Sequence, residues 1–255
     1  MNKKTIGKCH ICGKTSEMSQ EHIPPKSSGN KLTVKFYTSD EFLADDVLSG
    51  QKTLAEKKYH QSQGGLKMQT ICKSCNNITG ANYVSAYSDF ANGVRYGLTK
   101  IDQDKSLNNI LQFSCKLKPL NFLKEVLAMF CSILPHETVD IYKFGHYVLD
   151  KDLQGYENND FDLYMYLSVT KNGNYKSSPP SGTVDIKTGR MAVCSELSAP
   201  PLGFVLSLSP ETALSLPSIK NFYKFKFDEE YELSFSLPLL KPLQFPLLFE
   251  KFSLL

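Results

Sequence analysis

The chain has 255 residues, of which 41% are apolar and 22% charged, enough for one large domain or two modest ones and unlike a disordered or fibrous protein. No apolar run is long enough to cross a bilayer, and the basic start Met1-Asn2-Lys3-Lys4-Thr5 leads into no signal-like apolar stretch, so a cytoplasmic protein is expected. The net charge of +3 is uneven: cations exceed anions by five over residues 1–110 and fall short by two beyond them, a basic bias toward the N-terminal part.

In chain order, residues 1–20 carry Cys9-His10-Ile11-Cys12 and read as a knuckle leading into a strand. Glu21-His22-Ile23-Pro24-Pro25 is expected to be extended, because proline disfavours helical backbone in the residue before it. Residues 27–65 read as an insertion with Gly29-Asn30 and Gly64-Gly65 as breakers. The insertion holds an acidic patch (Asp40, Glu41, Asp45, Asp46) and a basic one (Lys57, Lys58, Tyr59, His60). A short strand over Leu66–Ile71 then runs into Cys72-Lys73-Ser74-Cys75-Asn76. Tyr83, Tyr87, Phe90 and Val94 recur at helical spacing and predict a helix from about 82 to 96, stopped at Gly97, whose stripe reads as core packing. A second helix is expected from Pro119 to Leu134, with Leu120, Leu123, Leu127 and Phe130 on its buried stripe. Beyond it the pattern predicts strands at Phe161–Thr170, Gly203–Leu208, Phe222–Phe227 and Tyr231–Leu237, and a hairpin of Thr183–Lys187 and Arg190–Leu197 about Thr188-Gly189. A boundary near residues 100–110 divides this α+β chain into domains 1–105 and 106–255.

Two Cys-x-x-Cys pairs suit one closed tetrahedral zinc site built by Cys9, Cys12, Cys72 and Cys75, and a reducing cytosol argues against disulfides. Cys115, Cys131 and Cys194 read as buried thiols, His10 as a bystander, and His136 and His146 as structural. Glu21, His22 and Asn76 form a second set. Carboxylate and amide oxygens suit a hard cation, Mg²⁺ or Mn²⁺, and a neutral imidazole beside it can take a proton from water. Lys26, Lys57, Lys58, His60 and Lys73 are the candidates for meeting phosphate, His60 reading more readily as a surface residue.

Cys-x-x-Cys, Glu-His-Ile-Pro and Cys-x-x-Cys-Asn together resemble the HNH endonucleases, the ββα-metal or His-Me finger group, in the four-cysteine form of the phage Holliday-junction resolvase branch and of small bacterial HNH proteins. The resemblance spans residues 9–97. It implies a ββα-metal, treble-clef-like zinc domain in which His22 is the general base and Glu21 and Asn76 hold the catalytic cation. It further implies DNA as the partner, with RNA as an alternative, cut to leave a 3′ hydroxyl and a 5′ phosphate. Residues 106–255 would choose the target, sense a trigger, or bind a protein or a second copy, as in phage-defence or mobile-element nucleases. Two positions depart from the family pattern. Leu66-Lys67-Met68-Gln69-Thr70-Ile71 stands where a middle asparagine is usual, with Gln69 or a backbone carbonyl as the candidate substitute, and Thr79-Gly80 where many members have a further histidine. These departures leave a second expectation, a catalytically weak or inactive zinc-finger module that binds nucleic acid or protein.

Overall fold

The computed structural model of the chain describes residues 5–36, 46, 49, 51–52, 56, 58–156, 160–169, 175–178, 180–184, 191–209 and 214–242; Asp40, Glu41, Asp45, Lys57 and Thr188-Gly189 lie outside them. Strands β1 (Ile6–Lys8) and β2 (Thr15–Glu17) pair antiparallel and carry the Cys9–Cys12 turn between them. β3 (Glu21–His22) pairs with β6 (Lys67–Met68), and β4 (Val34–Phe36) with β5 (His60–Ser62), so the described parts of the 27–65 stretch fold back on themselves before the second cysteine pair. The strand expected over 66–71 thus shrinks to two residues.

α1 (Lys73–Asn82), with Cys72 at its N-cap, precedes α2 (Val84–Leu98), which is the helix that the spacing predicts over 82–96. α1 buries only Cys75 and Thr79, so it has no apolar stripe to announce it. Gly97 lies inside α2 rather than stopping it. α3 (Gln103–Ser106) is a single turn capped by the Asp102 side chain, which accepts from the Lys105 N–H.

The main sheet runs β10 (Ser181–Val184), β11 (Met191–Ala199), β12 (Leu202–Ser207), β8 (Asp162–Ser168), β13 (Tyr231–Leu240), β7 (Ile110–Leu117), with β9 (Lys176–Ser177) also paired to β11. Its pairings are antiparallel except for β13 against β8. The expected hairpin is the β10–β11 pair, in register from Ser181 opposite Cys194 to Val184 opposite Met191. α4 (Pro119–Ile133) is buried on all sides, and α5 (His136–Ile141) and α6 (Phe144–Leu149) follow it. A helix covered all round has lost the polar face of a surface helix, and α4 sits between α2 and α6 at the centre of the molecule. No helix among the described residues is long and apolar enough to cross a membrane.

Phe222–Phe227 is not a strand: Lys220–Lys224 forms a 3-10 helix. Apolar residues at 222, 223, 225 and 227 with Lys224 and Lys226 between them imitate a period of two. Their rings instead close over the core, Phe222 lying 6.3 Å from Phe122 and 6.4 Å from Phe235. Cys115 is half-buried, whereas Cys131 and Cys194 are buried as expected.

The core runs without interruption across residues 100–110. Cys9, Ile11, Met18, Tyr87, Phe90 and Cys75 belong to the same buried cluster as Phe122, Phe204 and Phe235. Tyr87 stacks on Phe122 at 5.8 Å, and Phe90 meets Phe122 at 5.0 Å and Phe235 at 5.1 Å. The Tyr83–Tyr87–Phe90 stripe is therefore core packing.

Candidate functional site

The β1–β2 hairpin delivers Cys9 and Cys12, and the start of α1 delivers Cys72 and Cys75. Their four sulfurs lie within 4.8 Å of one another, with Cys12 Sγ 3.9 Å from Cys72 Sγ. The edge of a zinc–sulfur tetrahedron with 2.3 Å bonds is about 3.8 Å, so the cluster could hold a metal such as zinc. Backbone links bring the two halves together: the His10 N–H donates to the Thr70 carbonyl at 2.9 Å, and the Cys72 N–H donates to Cys9 Sγ at 3.3 Å. The hydrogen bond from Cys75 and surrounding backbone N–H groups pull the Cys9 thiol down to about 4, while Cys75 is pushed up by its bond to that same sulfur. Burial also pushes Cys12 up. Charge on one sulfur thus comes at its neighbours' expense, a conflict that a bound divalent cation removes. His10 stands outside the cluster, its Nδ1 donating to the Cys131 carbonyl at 3.1 Å.

Beside this cluster opens a cleft of ≈ 530 Å³ whose walls include Glu21, His22, Lys26, Asn76, Thr79 and Glu125. All three residues expected to do the chemistry thus share one cavity. Glu21 and His22 are successive residues of β3. Glu21 is 6% exposed, and Ser132 Oγ of α4 donates to its Oε2. Burial pushes its carboxyl up to about 8, against the opposing effect of that hydrogen bond. His22 is half-buried and its Nε2–H donates to the Gly64 carbonyl at 3.0 Å. A carbonyl can only accept, which fixes the tautomer and leaves Nδ1 as the basic nitrogen. Burial, together with the ammonium groups of Lys67 and Lys26, holds the imidazole below its ordinary value despite the Gly64 bond. Asn76 Nδ2 donates to Ser19 Oγ at 2.8 Å, which leaves Oδ1 as the oxygen suited to a cation.

Three features of the site escape the sequence reading. The first is Asn30, fully buried: its Nδ2 donates to the carbonyls of Pro24 (2.7 Å) and Leu66 (3.0 Å), and its Oδ1 accepts from the Leu66 N–H (2.8 Å). It ties the end of the Glu-His-Ile-Pro segment to the loop that orients His22. The second is the Gly64-Gly65 pair, expected only as a breaker. Both glycines have positive φ, +73° and +104°, and a Cβ on Gly65 would sit 2.3 Å from the Asn30 carbonyl oxygen. A backbone carbonyl on a glycine-built loop thus orients the His22 ring. The third is Glu125, on α4 and far away in sequence. It shares a helix face with Ser132, seven residues on, and only the fold brings that face to the cleft.

Of the residues expected to meet phosphate, Lys26 lines the cleft, joined there by Lys31. Lys58, His60 and Lys73 are exposed but are not among the cleft's lining residues, and Lys57 lies outside the described residues. The Thr79 hydroxyl donates to the carbonyls of Cys75 and Asn76, both at 3.2 Å. No known family model, curated protein or solved structure matches the chain.

Proposed function

We propose that the protein is a divalent-cation-dependent endonuclease of the HNH type that hydrolyses DNA phosphodiester bonds. One observation carries this reading: His22, its Nε2–H spent on Gly64, shares a cleft with Glu21 and Asn76 beside a four-cysteine cluster. The cysteine cluster has no open coordination position once four sulfurs are bound, so its role is structural. Mg²⁺ or Mn²⁺ held by Glu21 and Asn76 supplies, when bound, charge stabilisation at the phosphate and the leaving oxygen. His22 is kept neutral by its burial and by two nearby ammonium groups, so it takes a proton from water at Nδ1. The Gly64 carbonyl holds the ring in place and stabilises the imidazolium that results. Lys26 and Lys31 offer phosphate contacts at the cleft wall.

The test is plasmid nicking with Mg²⁺ or Mn²⁺. His22→Ala should lower the rate by at least about 100-fold with metal at the cysteines unchanged. An unaltered rate discards the reading. A second reading, a module that binds nucleic acid or protein without cutting, draws on the burial of Glu21, which favours a protonated carboxyl at neutral pH against the opposing bond from Ser132. That module would bind nucleic acid in a salt-dependent way and cut under no divalent cation.

A further inference from the structure

We propose that Glu125 is a third side-chain ligand of the divalent cation in this cleft, so that α4, outside the motif region, supplies part of the metal site. The inference rests on the cation-binding reading of Glu21 and Asn76 given above and adds a residue to it. Glu125 is 3% exposed and lines the cleft, and among the described residues its Oε2 is buried without a hydrogen-bond partner. A buried carboxylate oxygen with nothing to accept from is costly unless a cation or a proton meets it.

Its neighbours on α4 are provided for. The Lys124 ammonium donates to the Asp150 carbonyl and lies over the Tyr147 ring, 4.4 Å from its centroid. The Ser132 hydroxyl donates to Glu21, and Asn121 Nδ2 donates to the Asn82 carbonyl at 2.9 Å. The unmet oxygen of Glu125 is therefore not a general feature of this helix.

Glu125 and Glu21 line the same cleft, and both carboxyl groups are buried. Two buried carboxyl groups in one cleft are relieved by a shared proton or a cation. With Asn76 Oδ1 they make three hard oxygen donors, the kind of set that holds Mg²⁺ or Mn²⁺ while leaving positions for water and phosphate.

The experiment titrates full-length, zinc-loaded protein with Mn²⁺ and reads the unbound ion by electron paramagnetic resonance. Wild type should bind one Mn²⁺ per chain. Glu125→Gln, which keeps the shape and removes the charge, should weaken that binding by at least about tenfold with zinc content unchanged. Unchanged Mn²⁺ affinity in Glu125→Gln, or no Mn²⁺ bound by wild type, overturns the proposal. Should the variant fail to fold, anomalous diffraction from Mn²⁺-soaked wild-type crystals decides. A peak about 2.0–2.2 Å from a Glu125 oxygen supports the assignment, and a peak held by Glu21 and Asn76 beyond the reach of Glu125 refutes it. Mn²⁺ binding that depends on Glu125, without cleavage of any nucleic acid, keeps the ligand and removes the nuclease. Cleavage that needs His22 but is indifferent, like Mn²⁺ affinity, to Glu125→Gln does the reverse.

Discussion

Glu21 and His22 are adjacent in sequence yet titrate in opposite senses, for the same reason: burial disfavours the charged form of each. For Glu21 this has a consequence for stability. Its folded carboxyl stands at about 8 against an ordinary 4.5. The folded state therefore holds the proton more tightly than the unfolded chain does. That contribution is complete below the unfolded value and disappears as the pH rises through about 8. In protein kept free of Mg²⁺ and Mn²⁺, stability should fall across this window, by an upper limit of about 5 kcal/mol from this group. Glu21→Gln cannot lose a proton and should flatten the melting temperature plotted against pH. A variant curve as steep as that of wild type would assign the slope to another group. At this scale the sequence was partly legible: the spacing of the paired cysteines announces their convergence, and Glu21, His22 and Asn76 do line one cleft. Asn30 was not legible, because its partners are backbone groups at Pro24 and Leu66 that only the fold brings near.

Among the elements, those with a clean stripe could be read and those held by distant contacts could not. α4 falls within a residue of its expected bounds because Pro119 opens it and apolar residues fill it. β7 has a legible alternation, Leu111, Phe113, Cys115 and Leu117 against Gln112, Ser114 and Lys116, which the sequence reading passes over; β13 pairs along its whole length. α1 exists because the knuckle and α2 hold it, and no local pattern says so. α6 tests how closely such elements meet. Gly145 lies in its first turn, and a Cβ there would come 2.0 Å from the Ile11 carbonyl oxygen in the cysteine knuckle. Helix propensity alone would make Gly145→Ala stabilising by up to about 1 kcal/mol. The clash is with backbone at both ends, which cannot turn aside as a side chain can, and overpacking of this kind costs about 1–3 kcal/mol or more. The steric effect should win, and Gly145→Ala should lower the urea midpoint. A raised midpoint would mean that α6 and the knuckle separate easily.

At the scale of the molecule, the cysteine cluster is wired into the part of the chain that follows residue 105. His10 donates to the Cys131 carbonyl, Ser132 donates to Glu21, and Ile11 presses on Gly145. Cys9, Ile11 and Cys75 share a buried cluster with Phe122 and Phe235. The sequence shows a change of pattern near residues 100–110, but composition says nothing about which side chains cross it, and so the expected division into 1–105 and 106–255 could not reveal this shared core. The coupling predicts how the protein responds to losing metal. Binding of a structural zinc by four thiolates contributes about 10–16 kcal/mol in small peptides at neutral pH, comparable with the about 5–15 kcal/mol that keeps a whole domain folded. Without the ion, residues 9–12 and 72–75 lose that tie and keep only the hydrogen bonds and the packing they share. Their separation would expose the face of the core that the knuckle covers, including the C-terminal end of α4. Stripping the ion with a chelator should therefore lower the melting temperature of the entire chain in one transition, and amide protection in α4 and β13 should fall together with that in α1. Two transitions, with α4 and β13 retaining their protection after chelation, would show instead that the region beyond residue 105 folds without the knuckle.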